Sequence, residues 1–184
     1  MTAPASVDGD ARLRLFLGFR LPEHVLDHLE AWQRETFGEA DVRPLSRQQL
    51  HVTLAFLGHR PMRELPSIAE ALRASSRLGV PELSASRYRE TRSVAMIVLA
   101  DEGETATRIA NDLHGRLERL RVYERETRPW LAHVTVARFR RGPRLRPAVP
   151  DLGRFAPSEA AVYHSVLRST GAQYHVLESV PLGG

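Results

Sequence analysis

The tripeptide His-Val-Thr occurs twice in this chain, each time inside an apolar run. The first run reads Leu50-His51-Val52-Thr53-Leu54-Ala55-Phe56-Leu57-Gly58, and the second Ala132-His133-Val134-Thr135-Val136-Ala137-Arg138-Phe139. Both read as strands, and a strand sends alternate side chains to opposite faces. His51 and Thr53 therefore share one face while Val52 and Leu54 share the other, and the second copy repeats the arrangement. Each copy places an imidazole beside a hydroxyl on a rigid element and leaves its apolar partners for a core. Two such strands facing each other would put two imidazoles across one cleft. The competing reading is two buried strands whose His and Thr are satisfied core polars.

The chain of 184 residues suits one domain or two closely associated lobes. Its 42% apolar and 26% charged residues are those of an ordinary globular protein. No apolar run is long enough to cross a bilayer, so no membrane partner is expected. Residues 1–10 are polar and lack a signal-peptide pattern; they read as a disordered N-terminal tail before a single domain over 11–184. Cysteine is absent, which excludes a disulfide framework, a thiol nucleophile and a thiolate metal site, and fits a cytoplasmic location. With no long amphipathic stretch left over for a partner, the expected state is a monomer.

The net charge is only +4, yet all 26 basic residues are arginine. Codon bias explains this most simply, but guanidinium groups also offer phosphate a planar fork that an ammonium cannot. Arg138, Arg140, Arg141, Arg144 and Arg146 cluster directly after the second motif. Such a run reads as a solvated loop first and as a nucleic-acid contact second.

Period-2 patterning predicts a strand over 12–19, and Pro22 opens a helix carrying Val25, Leu26, Leu29 and Trp32 on one stripe. The first His strand spans 50–57 and is expected to end at Gly58. A second helix follows over 61–78, facing inward through Leu65, Ile68, Ala69 and Leu72. Strands at 82–89 and 93–99 precede a third helix over 104–120, built on Ile109, Leu113, Leu117 and Leu120. The second His strand spans 131–139, and a Pro- and Arg-rich loop runs over 141–150. Two closing strands, 159–167 and 173–181, are joined by Ser169-Thr170-Gly171. This order argues α+β with antiparallel sheets. A helix precedes each His strand, so the chain reads as two similar halves, a bilobal arrangement sharing one interface.

Facing histidines can do acid–base work at neutral pH, one ring neutral and the other protonated. That suits displacement at phosphorus, with the threonine hydroxyls bonded to non-bridging oxygens. No metal or cofactor is needed where such donors and arginine hold the developing charge. Zinc catalysis calls for three ligands, and neither H-E-x-x-H nor paired cysteines occur. His24 and His28 stand four apart on the first helix with only Asp27 nearby; they read as surface residues, as do His59, His114, His164 and His175. A serine hydrolase lacks its G-x-S-x-G elbow.

These residues resemble the 2H phosphoesterases, and within them the RNA 2′,3′-cyclic 3′-phosphodiesterases, also called 2′-5′ RNA ligases or LigT-like proteins. The resemblance runs from Arg14-Leu15-Phe16-Leu17 to Val180-Pro181-Leu182. It includes Leu21-Pro22-Glu23, the extended motifs His51 to Gly58 and His133 to Arg138, and the late Val162-Tyr163-His164-Ser165 and Gly171-Ala172-Gln173-Tyr174. It implies a bilobal, pseudo-symmetric fold with one motif per lobe lining a central cleft and helices outside. It also implies metal-independent opening of RNA or nucleotide 2′,3′-cyclic phosphates to 2′-phosphates, and the reverse joining of ends through 2′-5′ linkages. By that likeness His133 accepts a proton from water, His51 donates one to the leaving oxygen, and Thr53, Thr135 and Arg138 bind phosphate. Phe56 and Trp130 are candidates for stacking on a base.

The residues alone do not choose between the two histidines. Phosphodiesterase action on 2′-5′ oligonucleotides or small cyclic nucleotides, and a non-catalytic RNA-binding module, are the other readings. Arg138 poses a geometric demand: five positions after His133, strict alternation sends it to the wrong face, so a bulge or the strand's end must redirect it. Two positions depart from the family pattern. Ala132 stands where proline usually precedes the second His, and Pro44 follows Arg43 where tryptophan is usual.

Overall fold

A computed structural model describes residues 11–38, 41–169 and 171–184. The expected tail over 1–10 and Thr170 of the closing turn lie outside the described residues. The elements are β1 (Arg12–Arg20), α1 (Glu23–Phe37), β2 (Arg43–Pro44), β3 (His51–Pro61), α2 (Leu65–Ser76), β4 (Glu82–Glu90), β5 (Val94–Glu102), α3 (Thr105–Arg119), β6 (His133–Arg138), β7 (Glu159–Arg168) and β8 (Gly171–Val180). Single 3₁₀ turns at Arg47–Gln49 and Met62–Glu64 lead into β3 and α2.

All strand pairings among the described residues are antiparallel, in the order β4-β5-β6-β3-β1-β7-β8, with β2 added beside β6. The fold is α+β, as the element order implied. The two halves, β4-β5-β6-β2 and β3-β1-β7-β8, meet within one sheet rather than as separate sheets. Among the described residues, the one strand pairing that joins them is Val52 of β3 with Val134 of β6, the central residues of the two His-Val-Thr copies. One pair cannot hold two strands flat together, so the halves diverge on either side of the motifs and leave a cleft there.

The helices cover one face of this sheet. Leu15, Leu17 and Phe19 of β1, Val52 and Leu54 of β3, and Val134 and Val136 of β6 point into the main core with Leu29, Ile68, Leu72, Ile109, Leu113 and Leu117. The helical stripes are therefore as expected, except that Leu120 lies past the end of α3 and stands 41% exposed. No residue of α1, α2 or α3 lines the cleft on the opposite face.

Gly58 does not end the first His strand. It takes φ 67°, and opposite Leu15 and Phe16 the register skips Leu57, so β3 bends and continues to Pro61. A left-handed residue inside a strand is tolerated here because glycine has no Cβ to clash.

Candidate active site

Each motif begins a strand with the same exposure sequence. His51 and Thr53 are half-buried between buried Val52 and buried Leu54–Ala55, and Phe56 is exposed; His133, Val134, Thr135, Val136–Ala137 and Arg138 repeat the pattern position by position. Two consecutive buried residues break the period of two, and the register shows why. On β3, Gly18 pairs with Thr53 and Leu17 with Ala55, which skips Leu54. On β6, Met96 pairs with Thr135 and Ala95 with Ala137, which skips Val136. A one-residue bulge thus lies three positions after each histidine. Each bulge shifts the following residue by one phase and returns the fifth residue after the histidine to the cleft face. Phe56 and Arg138 both line the cleft for this reason, which meets the geometric demand that Arg138 posed.

The imidazoles are built alike. His51 Nδ1 lies 2.8 Å from Gln49 O, and His133 Nδ1 lies 2.8 Å from Leu131 O. A carbonyl only accepts, so each Nδ1 carries hydrogen and each neutral ring keeps its lone pair on Nε2. His51 Nε2 is 3.0 Å from Thr53 Oγ1, whose hydroxyl donates to it. Burial pushes the His51 pKa down to about 4, with smaller contributions in the same direction from His133 and Arg138.

The cleft has a volume of about 500 Å³. His51, Thr53, Phe56, Thr135 and Arg138 line it, together with groups from β1, β7 and β8 that the motifs did not reveal. Arg14 donates to Ser165 Oγ at 2.8 Å, and its Cζ lies 4.6 Å over the Phe56 ring. Phe16 stacks on Tyr163 at 4.6 Å between centroids and meets the edge of Tyr174 at 4.8 Å. These rings back His51, whose centroid is 4.8 Å from Phe16. They hold the imidazole in an apolar wall, which is the source of its desolvation. Gln49 anchors the opposite rim by donating to Ala172 O at 2.8 Å.

Trp130 stands apart from the residues that line the cleft. Its indole Nε1 donates to Thr53 O at 3.0 Å, and its rings pack on the core. The second motif's flank thus braces the backbone of the first. Of the arginine cluster, only Arg138 lines the cleft; Arg140, Arg141, Arg144 and Arg146 do not. The backbone N–H groups of Arg144 and Leu145 donate to Glu90, which pins that loop to β4. A larger hollow of about 700 Å³ between α1 and residues 145–151 contains neither motif.

His24, His28, His59 and His175 are exposed and His164 is half-buried, but His114 is a correction. It is 4% exposed, and its Nε2 donates to Leu54 O at 2.8 Å. No sequence pattern revealed this, because the accepting carbonyl lies sixty positions away on another element. Among the described residues, no three His, Cys, Asp or Glu side chains gather where they could hold a metal ion. No helix among them is long and apolar enough to cross a membrane.

Gly18 carries the most local signal of this site. A Cβ there would sit 2.8 Å from Val52 O and 3.3 Å from His51 Cδ2. Backbone cannot yield cheaply at that distance, so glycine inside β1 is what allows His51 its position. Gly18→Ala is expected to displace the imidazole and lower activity about 10-fold, with a destabilisation of roughly 1–3 kcal/mol for overpacking. A thermal melt and a rate measurement check this; unchanged values in both would show that β1 shifts freely.

The low His51 pKa has its own consequence. The unfolded chain binds a proton on this ring near pH 6.5, whereas the folded chain binds it only near 4. Stability is therefore complete above pH 6.5 and falls as the pH drops toward 4, by up to about 3 kcal/mol. An anion in the cleft opposes the positive neighbours and raises the pKa. NMR titration of the His51 ring is expected to give a midpoint near 4, moved upward by inorganic phosphate. A midpoint at the ordinary histidine value that ignores phosphate would contradict the desolvated, cleft-lining placement of this ring.

The two His-x-Thr strands thus lie side by side on a curled antiparallel sheet, next to a cleft lined by Thr53, Thr135 and Arg138. The comparisons with known proteins give the family. The family model described as LigT like Phosphoesterase matches residues 19–89. The RNA 2′,3′-cyclic phosphodiesterase of Thermus thermophilus is 33% identical over 184 residues, covering 94% of this chain and 91% of that protein. The protein of the same name from Archaeoglobus fulgidus is 28% identical over 152 residues, covering 80% and 83%. Among solved structures, TT0787 of Thermus thermophilus superposes with a TM-score of 0.80 at 29% identity, covering 94% and 99% of the two chains. Escherichia coli LigT complexed with 3′-AMP has the same fold, with a TM-score of 0.83 at 20% identity and coverage of 95% and 100%. The chain belongs to the LigT-like phosphoesterase family, within the 2H phosphoesterases.

Proposed function

We propose that this protein hydrolyses 2′,3′-cyclic phosphates at RNA ends or on nucleotides to 2′-phosphates, using His51 and His133 as its acid–base pair. The observation that carries this reading is the identical construction of the two motifs at the joint between the halves. Each Nδ1 is committed to a carbonyl two residues back, which leaves each Nε2 for proton transfer; His51 lines the cleft itself, and His133 stands beside it, two positions before the cleft-lining Thr135. The relatives named above as RNA 2′,3′-cyclic phosphodiesterases support the substrate class.

In this reading Arg138, Thr53 and Thr135 hold the non-bridging oxygens of the cyclic phosphate. His133 Nε2 takes a proton from water as its oxygen bonds to phosphorus. The bond from phosphorus to O3′ breaks, and O3′ takes the proton from His51 Nε2. The product is a 2′-phosphomonoester with a free 3′-hydroxyl, and solvent returns the two rings to their starting states. His51 is neutral in the empty cleft at pH 7, so it gains its proton as the phosphodiester anion enters and offsets the desolvation of the ring and the charge of Arg138. The same step with a 5′-hydroxyl in place of water forms a 2′-5′ linkage, which makes ligation the counterpart of hydrolysis.

Incubation of a 2′,3′-cyclic nucleotide or oligonucleotide with the protein in EDTA, followed by product analysis, tests the proposal. Release of the 2′-phosphate is the expected result. Salt-sensitive RNA binding without turnover would replace it with a non-catalytic RNA-binding module.

A further inference from the structure

The two bulges share a feature that the motifs themselves do not encode. Each extra residue has its carbonyl bonded by a buried side chain from a covering helix. Gln33 of α1 donates from Nε2 to Val136 O at 2.7 Å and to Leu45 O at 3.0 Å. His114 of α3 donates from Nε2 to Leu54 O at 2.8 Å. Val136 and Leu54 are the residues that the register skips on β6 and β3. Both donors are only 4% exposed. Burying an amide or an imidazole costs free energy unless its polar atoms find partners, and here the chosen partners are the same position of each motif. The arrangement is crossed: α1, which precedes the first motif, braces the second, and α3, which precedes the second, braces the first.

We propose that Gln33 and His114 are positioning residues that lock the two bulges and so aim Arg138 and Phe56 into the cleft. A bulge is what reverses the facing of the residue two positions later, and a strand that loses its bulge sends that residue into the core side instead. Gln33 thus acts on phosphate binding through Arg138, and His114 acts on substrate stacking through Phe56. The kinetic test rests on the phosphodiesterase reading above, whereas the phosphate-binding test does not.

Double-mutant cycles separate this role from a general contribution to stability. Gln33→Met is expected to lower kcat/KM about 10-fold when Arg138 is present and less than about 2-fold in an Arg138→Ala background. Combined with Phe56→Ala, its effect is expected to be additive. His114→Leu is expected to show the opposite pattern, coupled to Phe56 and additive with Arg138, while His114→Gln, which keeps a donor, retains most activity. Rates are read below the melting temperature of every variant. Should the apolar variants not fold, Gln33→Asn and His114→Asn place a buried amide donor of shorter reach at each position, and the same cycles apply. Binding of inorganic phosphate, measured by calorimetry on the same proteins, gives a second readout. If the wild type opens no cyclic phosphate, the functional reading fails, and the brace is judged by whether Gln33→Met weakens phosphate binding only when Arg138 is present. Equal losses with and without the cleft partner, in rate and in phosphate binding, would overturn the proposal.

Discussion

Alanine at His51 or at His133 is expected to lower kcat/KM for a 2′,3′-cyclic phosphate by about 100-fold or more, the usual consequence of losing a general acid or base. The two losses should be far from additive, because removal of either ring already interrupts the same proton traffic. His51→Ala removes a ring that resists protonation between pH 6.5 and 4, so this variant is expected to be less acid-labile than the wild type while being far less active. Wild-type rates in either variant would remove that histidine from the chemistry.

The pH profile distinguishes the acid from the base. If His51 is the donor, the substrate must raise its pKa from about 4, so the alkaline limb of kcat lies at higher pH than that of kcat/KM. If His51 is the acceptor, its low pKa produces only an acid limb, near pH 4. Phe16, Tyr163 and Tyr174 crowd the His51 ring, and this aromatic wall is where the two near-equivalent motifs diverge.

The faces of the two motifs were legible in the sequence because a strand has a period of two, and Val52 and Val134 are indeed fully buried while the histidines and threonines are on the other face. The bulges were not legible, although Arg138 required one. A bulge adds a residue without changing composition, and Leu54-Ala55 and Val136-Ala137 are as apolar as any regular strand. The end of β3 was misplaced at Gly58 because glycine in a strand signals either a stop or a bend, and only pairing with Leu15 decides between them. The wall formed by Arg14, Phe16, Ser165 and Tyr174 comes from β1, β7 and β8, whose assembly beside β3 spans more than a hundred positions of chain and leaves no local pattern. Gly18 went unread, although a glycine within an otherwise bulky strand is a local mark of close approach; the approaching groups are Val52 O and His51.

Arg138→Ala is expected to lower kcat/KM by about 100-fold, comparable to the loss of one preorganised donor at a developing oxyanion. The bulge at Val136 places this guanidinium on the same face as Thr135, and its charge is felt at His51. In the proposed mechanism it therefore has two roles that one substitution removes together: a fork for the phosphate oxygens, and a positive field that helps keep the empty cleft's His51 neutral. Arg138→Lys separates them. An ammonium restores the charge without the planar pair of donors, so the His51 midpoint should stay low while most of the rate loss persists. In Arg138→Ala the midpoint should rise, by less than the full shift because burial is its larger cause. Phe56→Ala, at the matching position of the first motif, carries no charge to lose and is expected to raise KM with kcat nearly unchanged. A lysine variant as active as the wild type would show that Arg138 supplies field alone, and the phosphate fork would then have to be sought at Arg14 or Arg43, the other arginines lining the cleft.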